Sequence, residues 1–389
     1  MTAASGRWWL VGASVVAGGV LVAVSPDEAR SLLERLTPVL VFVAAMSIVV
    51  NTAADAGAFD AIAAGLRRIA LPRLSAPAAT WVRVVVLALV STVFLSLDTT
   101  AIMVTPLAVA LARRAGVGIA AIGLAVVWIA NIASLLLPVS NLTNLLAVSG
   151  EEFVGTGDYL SVMWRPALVA TATAVLASWI VYRSSARKPD AAEVEHDNVA
   201  VGDRDPRLRT SLVVLGCMLP LLVSPIPYWL TASVGALVLV VVSLRDGVPR
   251  VSHSSIPWHS LFFVVALSSA AAVLHSLGAT DWLARMLSGS DESTGGLLFV
   301  GGVGALLSNL INNIPAFLAL EAAVDGHAGT AALLIGVNVG PIIAPWASLA
   351  TLLWHDQLRR SGVDVPWRRY ILAGCILMPF AVIAPIFAI

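Results

Sequence analysis

Residues 129–146, IANIASLLLPVSNLTNLL, are apolar enough to lie in a membrane, yet Pro138 interrupts the run and Asn131, Ser134, Ser140, Asn141, Thr143 and Asn144 stud it. An ordinary spanning helix carries no such series of amides and hydroxyls. The pattern returns at residues 337–353, VNVGPIIAPWASLATLL. Setting Asn131 against Asn338 places Ser134 on Pro341, Pro138 on Pro345, Asn141 on Ser348 and Asn144 on Thr351. Two apolar segments interrupted at matching places, one in each half of a chain, point to the binding site of a secondary transporter.

The rest of the chain agrees with a membrane setting. Of its 389 residues, 59% are hydrophobic and only 12% charged, and the mean hydropathy is +0.91. That excludes a soluble fold and predicts an all-α polytopic membrane protein. The formal net charge is zero, so charge gives no sign of a nucleic-acid partner. Cys217 and Cys375 lie in apolar stretches without metal-ligand spacing and read as small buried hydrophobes. Trp8–Val24 lacks a convincing small-residue cleavage site and reads as the first span.

Working outward, a charged turn is expected at Pro26–Arg35 and a second span at Leu36–Thr52. Ala53–Ala70 has the spacing of an interfacial helix. Val82–Leu97 and Ala101–Leu111 are short for a crossing and are bounded by Arg83, Arg113 and Arg114. They predict a re-entrant hairpin with Ser96-Leu97-Asp98-Thr99-Thr100 at its tip. Gly118–Leu146 crosses outward and Met163–Tyr182 returns. Arg183–Arg209 reads as a cytoplasmic linker. Thr210–Val223, Tyr228–Leu244 and Pro257–Ser276 read as further spans, and Asp281–Leu287 as a second interfacial helix. Gly295–Leu310 and Pro315–Ala323 form a second hairpin, turning at Asn312-Asn313-Ile314-Pro315. Thr330–Trp354 is the second interrupted span and Tyr370–Ala388 the last span. All but four of the 23 Lys and Arg then fall in cytoplasmic segments. The four are Arg30, Arg35, Arg165 and Arg285. The bias places the amino terminus in the cytoplasm.

Thr37–Arg68 resembles Trp258–Arg285, and each is followed by a hairpin, an interrupted span and a final span. The expected organisation is an inverted-topology repeat of 9–10 transmembrane helices with two re-entrant hairpins and two interrupted helices. The first repeat covers residues 1–182, the linker 183–209, a connecting transmembrane helix 210–227 and the second repeat 228–389.

A broken helix leaves N–H and C=O groups unpaired at several kcal/mol each, so breaks persist only inside protein or around a wet cavity. The side chains at the breaks and hairpin tips are the candidate solute ligands. They are Asn131, Ser134, Ser140, Asn141, Asn144, Thr99, Thr100, Asn312, Asn313, Asn338, Ser348 and Thr351. All both donate and accept hydrogen bonds. The alternative is that they satisfy the broken backbone and bind nothing. Asp98 is the ionisable candidate at depth, either a proton carrier or a cap for the hairpin turn. Its counterpart by hairpin position is Asn312. His275, His327 and His355 sit near span boundaries. Trp128, Trp164, Trp258, Trp346 and Trp354 lie near span ends or breaks and read mostly as interfacial anchors, with Trp346 placed to wall the site. Gly155-Thr156-Gly157-Asp158 matches a protease-like GxGD but falls in an expected external loop. Neither HExxH nor GxxxxGK[ST] is present, so no metalloprotease or ATPase is encoded in these residues, and no cofactor is indicated.

At these residues the chain resembles the ArsB family, arsenite and antimonite efflux permeases of the ion transporter superfamily. Ala133-Ser134-Leu135 through Ser140-Asn141-Leu142-Thr143-Asn144 is similar to that family's ASLxxxxSNLxN. Gly340-Pro341 through Ser348-Leu349-Ala350-Thr351-Leu352-Leu353-Trp354 is similar to its GPxxxPxxSLATLLW. Asp98 through Thr105-Pro106, with Asn312-Asn313-Ile314-Pro315, resembles its two hairpins. Leu97 departs from the pattern, which has Asn immediately before the hairpin Asp. The resemblance implies an elevator-like carrier in a bacterial cytoplasmic membrane, with arsenite or antimonite as solute. It implies drive either by protons or by a separate ATPase subunit. Related superfamily members move sodium, dicarboxylates or other anions.

Overall fold

The computed structural model describes residues 5–150, 152–185, 207–245, 255–278, 287 and 293–389. Among these residues the fold is all helical, and seven helices are long and apolar enough to cross a membrane. Large apolar side chains such as Val15, Leu168, Leu176, Leu237, Ile376 and Phe380 lie on the outer surface, while Asn131, Asn141, Asn144, Asn338 and Thr351 are buried. An apolar exterior of this extent is suited to lipid.

Helix bounds differ from the hydropathy reading where charged residues suit a helix end. Pro26–Asp55 is one helix, so the expected turn at Pro26–Arg35 is helical. Pro26 needs no N–H in the first turn, and Asp27 and Glu28 face the positive end of the helix dipole. Gly57, at φ 76°, turns the chain into the short helix Ala58–Arg68. Gly155–Ser185 is a single helix. The GxGD tetrapeptide is therefore its first turn, not a loop. The linker read at Arg183–Arg209 is helical at both ends, and its residues 186–206 lie outside the described residues. So does most of the interfacial helix read at Asp281–Leu287.

The helices form two bodies around separate apolar cores. One core is built mainly from Pro26–Asp55, Arg207–Val223 and Tyr228–Arg245. Ser5–Val24 and Trp258–Ser276 pair beside it, with Ser14 Oγ donating to Phe262 O at 2.8 Å. The other core holds Ala76–Phe94, residues 97–115, both interrupted segments, Gly155–Ser185, Thr294–Ile311 and Trp367–Ile386. Here Thr294–Ile311 and Gly326–Val339 touch backbone to backbone, because a Cβ on Gly336 would collide with the Gly301 carbonyl. Small residues allow such close approach where lipid supplies no hydrophobic drive between helices.

Arginines gather at one end of the molecule. Arg113 Nη2 donates to Ser361 O at 2.6 Å. Arg83 donates to Leu66 O at 3.2 Å and Ile69 O at 3.1 Å, at the negative end of Ala58–Arg68. The expected burial of the cysteines is corrected: Cys217 and Cys375 are both exposed. They sit on the outward faces of apolar helices, where an uncharged thiol meets no penalty from lipid.

Candidate functional site

The first interruption begins where Ile119–Ile132 tightens into a 3₁₀ turn at Ala133–Leu135. Leu137 is extended, Pro138–Ser140 forms a second tight turn, and Leu142–Val148 resumes the helix. Pro138 cannot donate to the helix ladder, which opens the chain here. Asn141 caps the new helix, with φ −147° and ψ 143°. In the second interruption Gly326–Val339 gives way to an irregular stretch, and Leu349–Arg360 begins after Ser348. Ser348 has φ −139° and ψ 137°, matching its partner Asn141.

The four half-helices cross at their broken ends. Asn338 is the hub. Its Oδ1 accepts from Asn141 Nδ2 at 3.0 Å and from the Thr143 hydroxyl, and its Nδ2 donates to Asn144 Oδ1 at 2.7 Å. Asn131 Nδ2 donates to Thr351 Oγ1 at 3.4 Å. The pairs Asn131–Thr351 and Asn338–Asn144 interchange when Asn131 is set on Asn338 and Asn144 on Thr351. A local two-fold relation thus appears in side-chain contacts as well as in sequence spacing. Thr351 also shares a hydrogen bond of 3.2 Å with Tyr370 Oη.

Part of this polar set repairs the broken backbone. Asn144 Nδ2 donates to Ser134 O at 2.7 Å and Leu137 O at 3.1 Å. Ser134 Oγ donates to Asn131 O and accepts from Asn141 Nδ2. Tyr159 Oη donates to Leu135 O at 2.6 Å. Ser140 Oγ donates to Val93 O at 2.7 Å, tying the first break to the first hairpin. After these bonds are made, Asn131 Oδ1 and Ser348 Oγ are buried without a protein partner among the described residues. A buried unpaired acceptor costs about 1–3 kcal/mol, so each is a natural contact for a solute or water.

The hairpin tips share an unusual backbone. Ser96 has φ 141° and Asn312 φ 94°, and among the described residues no other non-glycine has positive φ. Each caps the helix that follows, Ser96 Oγ accepting from Thr99 N and Asn312 Oδ1 from Ile314 N. This region is nearly glycine-only and costs about 1–3 kcal/mol per residue, the kind of strain that collects at ligand clamps. The matched geometry corrects the expected pairing: Asn312 corresponds to Ser96, and Asp98 falls on Ile314. The acid was the more conspicuous residue, but the backbone turns two residues before it.

The first tip, Leu97–Thr99, lies against Leu349–Arg360 and Ile119–Ile132. Asp98 there makes no hydrogen bond or ion pair among the described residues. Thr99 bonds Ser96, and Thr100 shares a hydrogen bond of 2.9 Å with Thr92. A π-helical turn, Thr100–Val104, follows. The second tip serves the second break. Asn312 Nδ2 donates to Trp346 O at 2.9 Å, and Asn313 N to Ala347 O at 2.9 Å. Asn313–Leu320 lies against Gly326–Val339 and Leu142–Val148. So Asn312, Asn313 and Ser140 bind backbone at the margins, while Asn131, Ser134, Asn141, Asn144, Asn338 and Thr351 meet in the centre.

Asn309 was not singled out from the sequence. Its Nδ2 donates to Ala305 O and Gly340 O at 2.8 Å each, and its Oδ1 accepts from Ile343 N and Ala344 N. One amide therefore secures the second break. The available signal was an amide one turn before a hairpin tip. Thr143 was visible as a stud but not as a site residue. The tryptophan reading is corrected for Trp128 and Trp354, which are 2% and 0% exposed and belong to the core. Trp346 is 56% exposed and donates from Nε1 to Leu310 O. His327 pairs with Asp158 at 3.1 Å, and His355 stacks on Trp367. No cluster able to hold a metal ion occurs among the described residues.

An apolar helical bundle with two broken helices and buried polar groups at their junction defines a polytopic membrane transporter. The chain matches the CitMHS model, described as citrate transporter, over residues 3–351, and it belongs to that family. It is also similar to the arsenical pump membrane proteins of Escherichia coli K12 and Shigella flexneri, each 30% identical over 322 residues, covering 77% of this chain and 73% of theirs. The protein of that name from Yersinia enterocolitica is 29% identical over 323 residues, with the same coverage. The expected resemblance to the ArsB family is met by these relatives.

Proposed function

We propose that the chain exports arsenite or antimonite across a bacterial cytoplasmic membrane as a proton-coupled secondary carrier. The observation that carries this reading is the chemistry of the central network. Its side chains are amides and hydroxyls, with no Lys, Arg or His bonded into it among the described residues. Arsenite at neutral pH is mainly uncharged As(OH)3, whose hydroxyls can donate to acceptors such as Asn131 Oδ1 and Ser348 Oγ. Citrate is an anion and calls for a cationic partner. The names of the pump relatives support the same choice. Asp98, held at a hairpin tip without an ion partner, is the proposed proton site. Thr99, bonded to Ser96, and Thr100, buried against Thr92, hold the tip that carries it.

The reading includes an inverted repeat, with residues 1–182 and 228–389 as the two units joined by 183–209 and the helix in 210–227. Support comes from the matched extended backbone at Asn141 and Ser348, the matched tips Ser96 and Asn312, and the interchangeable bonds at the centre. Both hairpins are taken as re-entrant. In the first, Arg83 is tethered to the end of Ala58–Arg68, which leaves about 11 residues before the tip, roughly half a bilayer core at 1.5 Å per residue. Nine to ten crossings follow, with the arginine-rich end and the amino terminus in the cytoplasm.

Liposomes loaded to impose a proton gradient should accumulate arsenite against its own gradient. Expression in arsenite-sensitive cells should lower intracellular arsenic. Absence of both effects, with protein present in the membrane, would refute the proposal. A second reading is a sodium/proton antiporter or small-carboxylate carrier, and the family description, citrate transporter, favours the carboxylate form. Sodium-dependent citrate uptake without arsenite transport would select it. Whether a separate ATPase subunit assists is answered by activity of the purified chain alone.

A further inference from the structure

Arg35 belongs to Pro26–Asp55, a helix whose buried residues from Val39 onward pack in the core shared with Arg207–Val223 and Tyr228–Arg245. At Arg35 the same helix meets the break-bearing core, in which Leu36 is buried, and the guanidinium reaches further into it. Nη2 donates to Leu146 O at 2.7 Å and pairs with the Glu321 carboxylate. Leu146 lies in Leu142–Val148, the half-helix that begins at Asn141 and carries Asn144. Glu321 directly follows Asn313–Leu320, the arm that begins at the strained tip Asn312. Each gripped element thus holds site residues at one end and is held by Arg35 at the other.

The surroundings make the contact specific. The two side chains are 22% and 23% exposed, so water screens the pair less than it does a fully exposed one. A Cβ on Gly150 would sit 3.4 Å from Glu321 Oε1 and 3.5 Å from Arg35 Nη2, so a bare turn covers the pair closely. The Leu146 carbonyl is near the negative end of its half-helix, which suits a guanidinium. The other charge pairs at this end, Arg30–Glu34 and Asp158–His327, are more exposed, and neither joins Pro26–Asp55 to a break-bearing element. Leu142–Val148 and Leu349–Arg360 run from the centre toward opposite ends, and the second finishes at the arginine-rich face.

We infer that Arg35 and Glu321 form a clasp that closes the solute path at the end of the molecule away from the arginine-rich face, and that the clasp opens once in each transport cycle. This rests on the carrier reading, in which one body moves against the other. The clasp is an ion pair plus one backbone hydrogen bond, so it favours one conformation without making it permanent.

The test uses the full chain in cells, with Cys217→Ser and Cys375→Ser, and Ala147→Cys as reporter. Ala147 is 2% exposed and lies in the turn beneath the clasp. A membrane-impermeant maleimide should label it slowly. Arg35→Gln or Glu321→Gln should raise that rate about tenfold, a population shift of the size a partly buried pair sustains. The swap Arg35→Glu with Glu321→Arg should restore slow labelling only in part, because a carboxylate cannot donate to the Leu146 carbonyl. In a separate variant, bridging Arg35→Cys to Glu321→Cys with a cleavable dithiol reagent should stop export, and reduction should restore it. Unchanged labelling in both single variants, or full export by the bridged protein, overturns the clasp. Labelling needs no solute, so failure of arsenite transport would remove the proposed function and leave this result standing.

Discussion

Replacing Asn338 by Ala should destabilise the protein more than the same change at Asn131, its partner in the matched spacing. Asn338 holds three side chains, all buried. Truncation leaves Asn141 Nδ2 with its second bond to Ser134 Oγ, at 3.3 Å. The Thr143 hydroxyl and Asn144 Oδ1 lose their partner outright. Two orphaned buried groups at about 1–3 kcal/mol each give a loss of roughly 2–6 kcal/mol. At Asn131 the side-chain bonds lost are the 2.9 Å bond to Val127 O, a helix carbonyl, and the 3.4 Å contact to Thr351, which keeps Tyr370, so two ordinary bonds go and the loss is about 1–3 kcal/mol. Thermal unfolding of both variants in one detergent, followed by intrinsic tryptophan fluorescence, reads the difference. A cycle combining Asn338→Ala with Asn144→Ala should show coupling above about 0.5 kcal/mol. Equal destabilisation at Asn131 and Asn338, or additive behaviour in the cycle, would refute the assignment of Asn338 as the hub. Transport should follow the opposite order relative to stability. Asn131→Ala removes an unpaired acceptor, so it should raise the arsenite KM while the fold survives.

Asp98→Asn keeps the shape of the hairpin tip and should abolish uphill arsenite transport while leaving downhill exchange measurable; full uphill activity would remove the proton role. Gly336→Leu drives a side chain into the Gly301 carbonyl and should prevent recovery of folded protein, judged by size-exclusion profile. Ser96→Gly relieves about 1–3 kcal/mol of backbone strain, loses about a few tenths for the cap and about 0.5–1 kcal/mol in chain entropy, so its melting temperature should stay near or rise slightly above that of the wild type, whereas Ser96→Val should lower it. Cys217→Ser with Cys375→Ser should leave melting temperature and transport unchanged, since both thiols lie on the outer surface.

The interrupted spans were legible because amides and prolines contrast with an apolar background, and the offset between Asn131 and Asn338 carried through to paired hydrogen bonds. Hairpin register was less legible. Hydropathy draws the eye to Asp98, while the bend depends on Ser96, an ordinary residue whose positive φ leaves no mark on composition. Pro26–Arg35 looked like a turn because charge was weighed as a loop signal, although acids at a helix start are favourable. Asn309 was overlooked because its partners are backbone groups of a segment 31 to 35 residues later. Trp128 and Trp354 were assigned to the interface by residue type, whereas helix crossing at the breaks encloses them.

The π-helical turn at Thr100–Val104 acts as a local change of gear. It stands between Asp98 and the arm Thr105–Ala115, with Pro106 just beyond it. A π turn holds one residue more than the α-helix it replaces, and each α-helical residue advances the direction of its side chain by about 100°. Removing the extra residue would therefore let the turn close as ordinary α-helix with Asp98 and the arm facing much as before, whereas removing a residue from the α-helical arm would swing what lies beyond it by roughly a third of a revolution. The turn is thus a place where the chain absorbs a one-residue change in length without re-aiming the acid, a kind of variation that insertions and deletions reach directly and point substitutions do not.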